Sequence, residues 1–184
     1  MLSQPARKPR NWSYNNYLRL NDDTRSEIIG GTVTIAPTPS LRHQDISRDL
    51  GFLLWQHARE HQLGMLYHAP VDVIFDDYNV VQPDLVFISR QRSEILHEWG
   101  IMGAPDMIVE ITSPSSAERD RNAKKRLYER FGVQEYWIIN PTDRSIELWE
   151  LEDGRYNLLR SAAGRGTLCS AAVEGFCVEL SMVL

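Results

Sequence analysis

Asp84, Glu110 and Lys124 are the side chains whose type and placement could do chemistry together. Asp84 follows Pro83 and opens the apolar run Leu85-Val86-Phe87-Ile88. Glu110 lies inside Met107-Ile108-Val109-Glu110-Ile111. An ionised carboxylate in a strand this apolar is costly to bury unless a divalent cation, or an Arg or Lys partner, compensates it. Two such carboxylates on neighbouring strands can hold one Mg²⁺, which takes oxygen ligands and keeps several waters. Lys124 precedes Leu127, Tyr128 and Phe131 by 3, 4 and 7 residues and so shares their face of a helix. Its neighbour Lys125 lines up instead with Arg121 and Glu129, on a charged face. An inward lysine beside a buried carboxylate can orient an attacking water and offset charge on a phosphoryl transition state. Each residue also has a plain structural role open to it. Asp84 could cap a turn, Glu110 could pair with an arginine, and Lys124 could lay its stem on the core and reach out to water.

The elements that must position these groups follow from periodicity and punctuation. Ser13 caps a short helix through Tyr14, Tyr17, Leu18 and Leu20. Residues 26–29 and 32–35, joined by Gly30-Gly31, read as a hairpin. Ser40 caps a long helix to about His61, striped by Leu41, Ile46, Leu50, Leu53, Leu54 and His57, with Gly64 as its stop signal. Met65 to Phe75 reads as one or two strands interrupted near Pro70. Val80 to Ser89 reads as another, with Pro83 marking an edge or an irregularity. Residues 90–105 read as a loop with a short helix. Asp106 to Thr112 is a strand in which alternation puts Glu110 on the face of Ile108 and Thr112, away from Val109 and Ile111. A helix capped by Ser115 or Ser116 runs to about Phe131 and ends at Gly132. Strands follow at 135–140, 145–151 and 156–159, with an outer one within 172–180. Mixed order and many hairpins imply a central mixed sheet with helices packed on it rather than a strict βα repeat.

Composition bounds the answer. The 184 residues suit a single domain over 13–184 behind a flexible N-terminal tail over 1–12. With 42% hydrophobic and 24% charged residues the chain can bury a core and is not a disordered one. A net charge of −5 argues against binding nucleic acid through bulk positive charge. Of the 20 basic residues only Lys8, Lys124 and Lys125 are lysines, which makes the place of each informative. Cys169 and Cys177 are too few for a disulfide framework or a four-ligand zinc site, and the histidines show no zinc spacing. No GxGxxG or GxxxxGK[ST] loop supports dinucleotide or nucleotide triphosphate binding. Residues 1–16 lack an apolar signal-peptide core, and no run approaches the ~18 apolar residues of a membrane span. The expectation is a soluble cytoplasmic protein with no membrane partner.

Several segments are familiar as a set. They are Gln82-Pro83-Asp84-Leu85, the run from Ala104 through Thr112-Ser113-Pro114-Ser115, Asp120 through Lys124, and Tyr128 to Gly132-Val133. The continuation Glu135-Tyr136-Trp137-Ile138-Ile139-Asn140-Pro141 belongs with them, as do Glu27 to Gly31 and His43. Over roughly residues 14–184 the chain resembles the Uma-two family of restriction-endonuclease-like proteins. The resemblance implies a PD-(D/E)XK nuclease core of α/β (mixed α+β) class, a central mixed β-sheet flanked by helices with extra hairpin strands. It implies metal-dependent phosphodiester hydrolysis, with DNA as the expected partner. On that basis Asp84 and Glu110 hold Mg²⁺ or Mn²⁺, Glu27 completes the metal site, and the backbone carbonyl of Ile111 is a further ligand. The usual lysine two residues after the glutamate is absent, since Thr112 stands there, and Lys124 occupies the family's relocated position. The wider group often cuts as dimers, so a homodimer is expected.

Some residues keep two readings. His43 is either a group near the scissile phosphate or a polar residue of the helix start. Arg119, Arg121, Lys125, Arg126 and Arg130 either contact phosphates or form a solvated ion-pair face with Glu118, Asp120 and Glu129. Tyr136 and Trp137 read as core packing rather than base-stacking groups. The alternative function is a non-catalytic binding or assembly module that retains the nuclease fold. A weaker one is a phosphoesterase acting on a small molecule.

Overall fold

The computed structural model describes residues 12–19 and 25–184. Except for Trp12, the tail expected over 1–12 lies outside the described residues, as does Leu20. In chain order come α1 (Tyr14–Tyr17), β1 (Ser26–Ile29), β2 (Thr32–Ile35), α2 (Leu41–Glu60), β3 (Gly64–His68), β4 (Val73–Asp76), β5 (Asn79–Val81) and β6 (Leu85–Ser89). A 3₁₀ turn (Arg90–Ile95) leads to β7 (Leu96–His97), β8 (Gly100–Met102) and β9 (Met107–Ile111). A broken helix follows: α3 (Ala117–Arg119), a π turn (Asp120–Lys124) and α4 (Lys125–Phe131). The chain ends with β10 (Glu135–Asn140), β11 (Ser145–Glu152), β12 (Arg155–Ala163), β13 (Thr167–Cys169), β14 (Cys177–Glu179) and a 3₁₀ turn at Leu180–Met182.

Two mixed six-stranded sheets and a hairpin result. One sheet has the order β12-β11-β10-β9-β6-β3, the other β2-β1-β5-β4-β8-β7, and β13 pairs β14. The β9–β10 and β4–β8 pairs are parallel and the rest antiparallel. The first sheet is covered on both faces, which is why β9 and β10 read as nearly continuous apolar runs. On one face Leu85, Phe87, Met107, Val109 and Ile111 pack against Ile46, Leu50 and Leu54 of α2. On the other, Val86, Ile88, Ile108, Tyr136 and Ile138 pack against Leu127 and Tyr128 of α4 and against Val73, Val81 and Ile101 of the second sheet. Alternation along β9 therefore sends Glu110 to the α4 side, with Ile108.

Four local expectations are corrected. The strand expected over 80–89 is two strands in different sheets. Pro83 lacks the N–H that a continuous ladder needs, so the chain leaves one sheet and enters the other across Gln82-Pro83-Asp84. Gly64 does not stop α2. The chain turns at Gln62 (φ 54°), and Gly64 opens β3, where a Cβ would run into the Ile88 carbonyl oxygen. The helix expected from 116 to 131 is interrupted by its π turn. The C-terminal outer strand is only three residues long, and Cys169 and Cys177 close its hairpin with a disulfide bond. The hairpin through Gly30 and Gly31, both at positive φ, forms as the sequence implies. Among the described residues no helix is long and apolar enough to cross a membrane.

Glu135 ties the last segment down. It is fully buried at the start of β10 and accepts hydrogen bonds from Trp137 Nε1 (2.6 Å), Ser170 Oγ (2.7 Å) and the amides of Ala171 (2.5 Å) and Ala172 (3.1 Å). These donors satisfy a carboxylate that burial would otherwise make costly.

Candidate active site

Strand pairing brings the two expected carboxylates face to face. β6 runs antiparallel to β9 with Leu85 opposite Val109 and Val86 opposite Ile108. One step further along the same register, Asp84 falls opposite Glu110. The carboxylate of Asp84 accepts the Ile111 amide on Oδ2 at 2.8 Å and an Arg25 guanidinium N–H on Oδ1 at 3.1 Å. His43 Nε2 lies 3.1 Å from Oδ2. The cap of α2 places that ring, because Ser40 Oγ accepts the His43 amide at 3.2 Å and so starts the helix beside Asp84. Arg25 also donates to the Gln82 carbonyl, tying it to the crossing between the sheets.

Glu110 is held from the helix side. Lys124 Nζ and the Tyr128 hydroxyl both donate to its Oε1, at 2.8 Å and 2.6 Å. Lys124 Nζ is also 2.7 Å from Glu27 Oε1, which accepts the Gln82 amide at 3.0 Å as well. Asp120 stands 4.0 Å from the same ammonium, and Arg119 reaches within 3.6 Å of Glu27 Oε2. Glu27, Asp84, Glu110, Asp120 and Lys124 are all at most 4% exposed, so these charges act on one another with little screening by water. The π turn puts both Asp120 and Lys124 on the buried side, and such turns recur at functional sites.

The charges perturb one another in definite directions. Burial works against the Asp84 charge, but His43, Arg25 and the Ile111 amide outweigh it and hold its carboxyl below the usual range. Burial pushes Glu110 up to about 8; Lys124 pulls it back, while Asp120, Asp84 and Glu27 add to the rise. Burial raises Asp120 too. Lys124 loses hydration, yet the negative charge of Glu110, Glu27 and Asp120 more than compensates and it keeps its proton firmly.

The residues fit a hard divalent cation. The donors are carboxylate oxygens, the buried Glu27 Oε2 and Asp120 Oδ1 have no hydrogen-bond partner among the described residues, and Glu110 sits at a protonation it would give up to a metal. Among the described residues no group of three or more His, Cys, Asp or Glu is placed to hold a metal ion. Two carboxylates with several retained waters suit Mg²⁺ better than a cage would. A cavity of about 380 Å³ opens over these groups. It is also lined by Arg42, Arg119, Ser113, Ser115 and Ser116.

Asp84, Glu110, Lys124 and Glu27 thus come together, and Ile111 joins them through its amide. The basic cluster divides. Arg119 enters the cleft, Arg121 pairs with Glu147 at 2.7 Å, and the Lys125 ammonium sits 2.9 Å from the centre of the Trp149 ring. Asp120 is buried, so this face is not simply a solvated one. Tyr136 and Trp137 are core residues. Sequence reasoning passed over Arg25 and Tyr128. Tyr128 carried a usable signal, four residues after Lys124 on the same helical face; Arg25, just ahead of a strand, carried none.

A chain with this sheet arrangement and this carboxylate–lysine cluster has the restriction-endonuclease-like fold. The family model Uma2, described as "Putative restriction endonuclease", matches residues 14–182, and the chain belongs to that family. A similar solved structure is described as "a putative nuclease belonging to DUF820 from Anabaena variabilis". It is 16% identical, with 93% of this chain and 96% of that one covered and a TM-score of 0.76, a likeness that establishes the fold. No curated protein matches.

Proposed function

We propose that the protein is a metal-dependent endonuclease hydrolysing phosphodiester bonds, with DNA as its substrate. The observation that carries this reading is Lys124, buried between Glu27 and Glu110 where Glu110 faces Asp84 across two paired strands. Asp84 and Glu110, with the carbonyl of Ile111, are the groups to hold Mg²⁺ or Mn²⁺, and Glu27 completes the acidic set. When bound, such an ion acidifies water and stabilises charge on phosphoryl oxygens. Arg25 and His43 keep Asp84 ionised and oriented. Lys124 holds its proton too firmly to serve as a base. Its role is to donate a hydrogen bond that orients water and to place positive charge beside the developing phosphoryl charge. Arg42 and Arg119, which line the same cavity, suit flanking phosphates, which reconciles an acidic chain with a polyanionic substrate.

The test is calorimetric titration of Mg²⁺ and Mn²⁺ into the wild type and Asp84→Asn, with cleavage of plasmid, single-stranded DNA and RNA. The wild type should bind metal and cut DNA, and the variant should lose both. A wild type that binds neither ion and cuts none of the three would leave the assembly module as the surviving reading.

A further inference from the structure

A second cavity, of 430 Å³, shares Arg25, Pro39, His43 and Asp84 with the first. A third, of 420 Å³, shares Pro70 and Gln82 with the second. The three thus lie side by side, and their lining chemistry differs. The first is lined by Arg42, Arg119, Ser113, Ser115 and Ser116. The third is walled by Tyr67, His97 and Trp99. Trp99 is 52% exposed and stacks on His97, with ring centres 5.2 Å apart and planes 18° from parallel. Asp72 and Gln82 supply its polar groups. Asp72 Oδ1 accepts from the Tyr17 hydroxyl and from Gln82 Nε2, both at 2.8 Å. The Gln82 side chain is thereby fixed, with its Nε2 also donating to the Tyr17 hydroxyl at 3.0 Å.

We propose that this third cavity takes an unpaired nucleobase of the strand being cut, stacked on Trp99 and offering N–H groups to Asp72. The inference rests on the nuclease reading above and narrows its substrate. Asp72 and Glu98 would repel a phosphate there but suit the donor edge of a base, while the phosphates belong in the arginine-lined first cavity. Gln82 lies two residues from Asp84, at most about 7 Å along the chain, a step comparable to one nucleotide of an extended strand. A base stacked and paired within a duplex offers neither its face nor that edge. The strand must therefore be single-stranded, or have the base turned out, beside the cleavage site.

The experiment measures fluorescence anisotropy of labelled oligonucleotides without divalent metal. It uses one sequence as single strand and as duplex, with the wild type and Trp99→Ala. The single strand should bind more tightly than the duplex. Trp99→Ala should weaken single-strand binding roughly 5- to 150-fold, the range that loss of one base–aromatic stack spans, and leave duplex binding unchanged. Abasic substitutions along the strand should reproduce the loss at one position, with no further loss when combined with Trp99→Ala. Duplex binding as tight as single-strand binding, no binding of either, or indifference to Trp99→Ala would each overturn the proposal. Cleavage assays separate the two readings. Duplex cutting unaffected by Trp99→Ala defeats the base pocket and leaves the nuclease standing. Trp99-dependent binding without cleavage by any metal does the reverse.

Discussion

Lys124→Met removes a cation held 2.7 Å from Glu27 and 2.8 Å from Glu110 while keeping a side chain of similar length. Breaking a buried pair by removing one partner costs about 3–5 kcal/mol, because the remaining charge is stranded. Here two carboxylates are stranded, and the cost must depend on pH with a definite sign. The folded carboxyl of Glu110 is raised to about 8 from an ordinary 4.5. Its contribution to stability is therefore complete below about pH 4.5 and is lost as pH rises through about 8. Lys124 pulls that value down, so in the variant Glu110 holds its proton to still higher pH. Near pH 5 Glu110 is protonated in both folded proteins. Above about pH 8 the wild type ionises it beside Lys124, whereas the variant must go on taking up a proton to fold. Urea unfolding of both proteins should show a deficit of about 3–5 kcal/mol near pH 9.5, narrowing by about 2 kcal/mol near pH 5. A deficit below about 1 kcal/mol at both pH values would refute the claim that Lys124 compensates buried charge.

Tyr128→Phe keeps the ring in the core and removes the hydroxyl that donates to Glu110 at 2.6 Å. With Glu110 as the proposed metal ligand, a group that orients it in this way is worth about 10- to 100-fold in metal affinity, so calorimetry should show Mn²⁺ binding weakened by at least the lower figure, and unchanged affinity would dismiss the role. Gly64→Ala should cost about 1–3 kcal/mol in chemical denaturation, since the new methyl meets the Ile88 carbonyl and β3 must shift along β6; a loss within experimental error would mean the edge strand yields freely.

Much of this arrangement was legible because it depends on short-range periodicity. Alternation set the face of Glu110, and helical spacing separated Lys124 from Lys125. The fold class followed from the order of hairpins and helices. The illegible parts depend on pairing between distant segments. Nothing local tells that Pro83 passes the chain from one sheet to the other, although that crossing is what delivers Asp84 to the end of β6. Arg25 is 59 residues from the carboxylate it pairs with. Glu135 reads as an ordinary polar residue at a strand start, yet it is fully buried because four donors reach it, three of them from residues 170–172. His43 stayed ambiguous for a related reason. Its helix-start position was plain, but the strand facing it was not.

The π turn at Asp120–Lys124 amounts to an α-helix holding one residue more than its length requires. Deleting a single residue there could restore regular α geometry and improve the local hydrogen bonding. The extra residue is taken up within the turn, so the flanking pieces would keep their phase, while Asp120 and Lys124 would stand three residues apart instead of four and sit differently toward Glu27 and Glu110. The irregularity therefore behaves as a spacer for these two side chains between two short helical pieces. One is anchored at the Ser113–Ser116 loop and the other on the tyrosine core. This stretch should tolerate changes of residue type on its exposed side far better than any change in length.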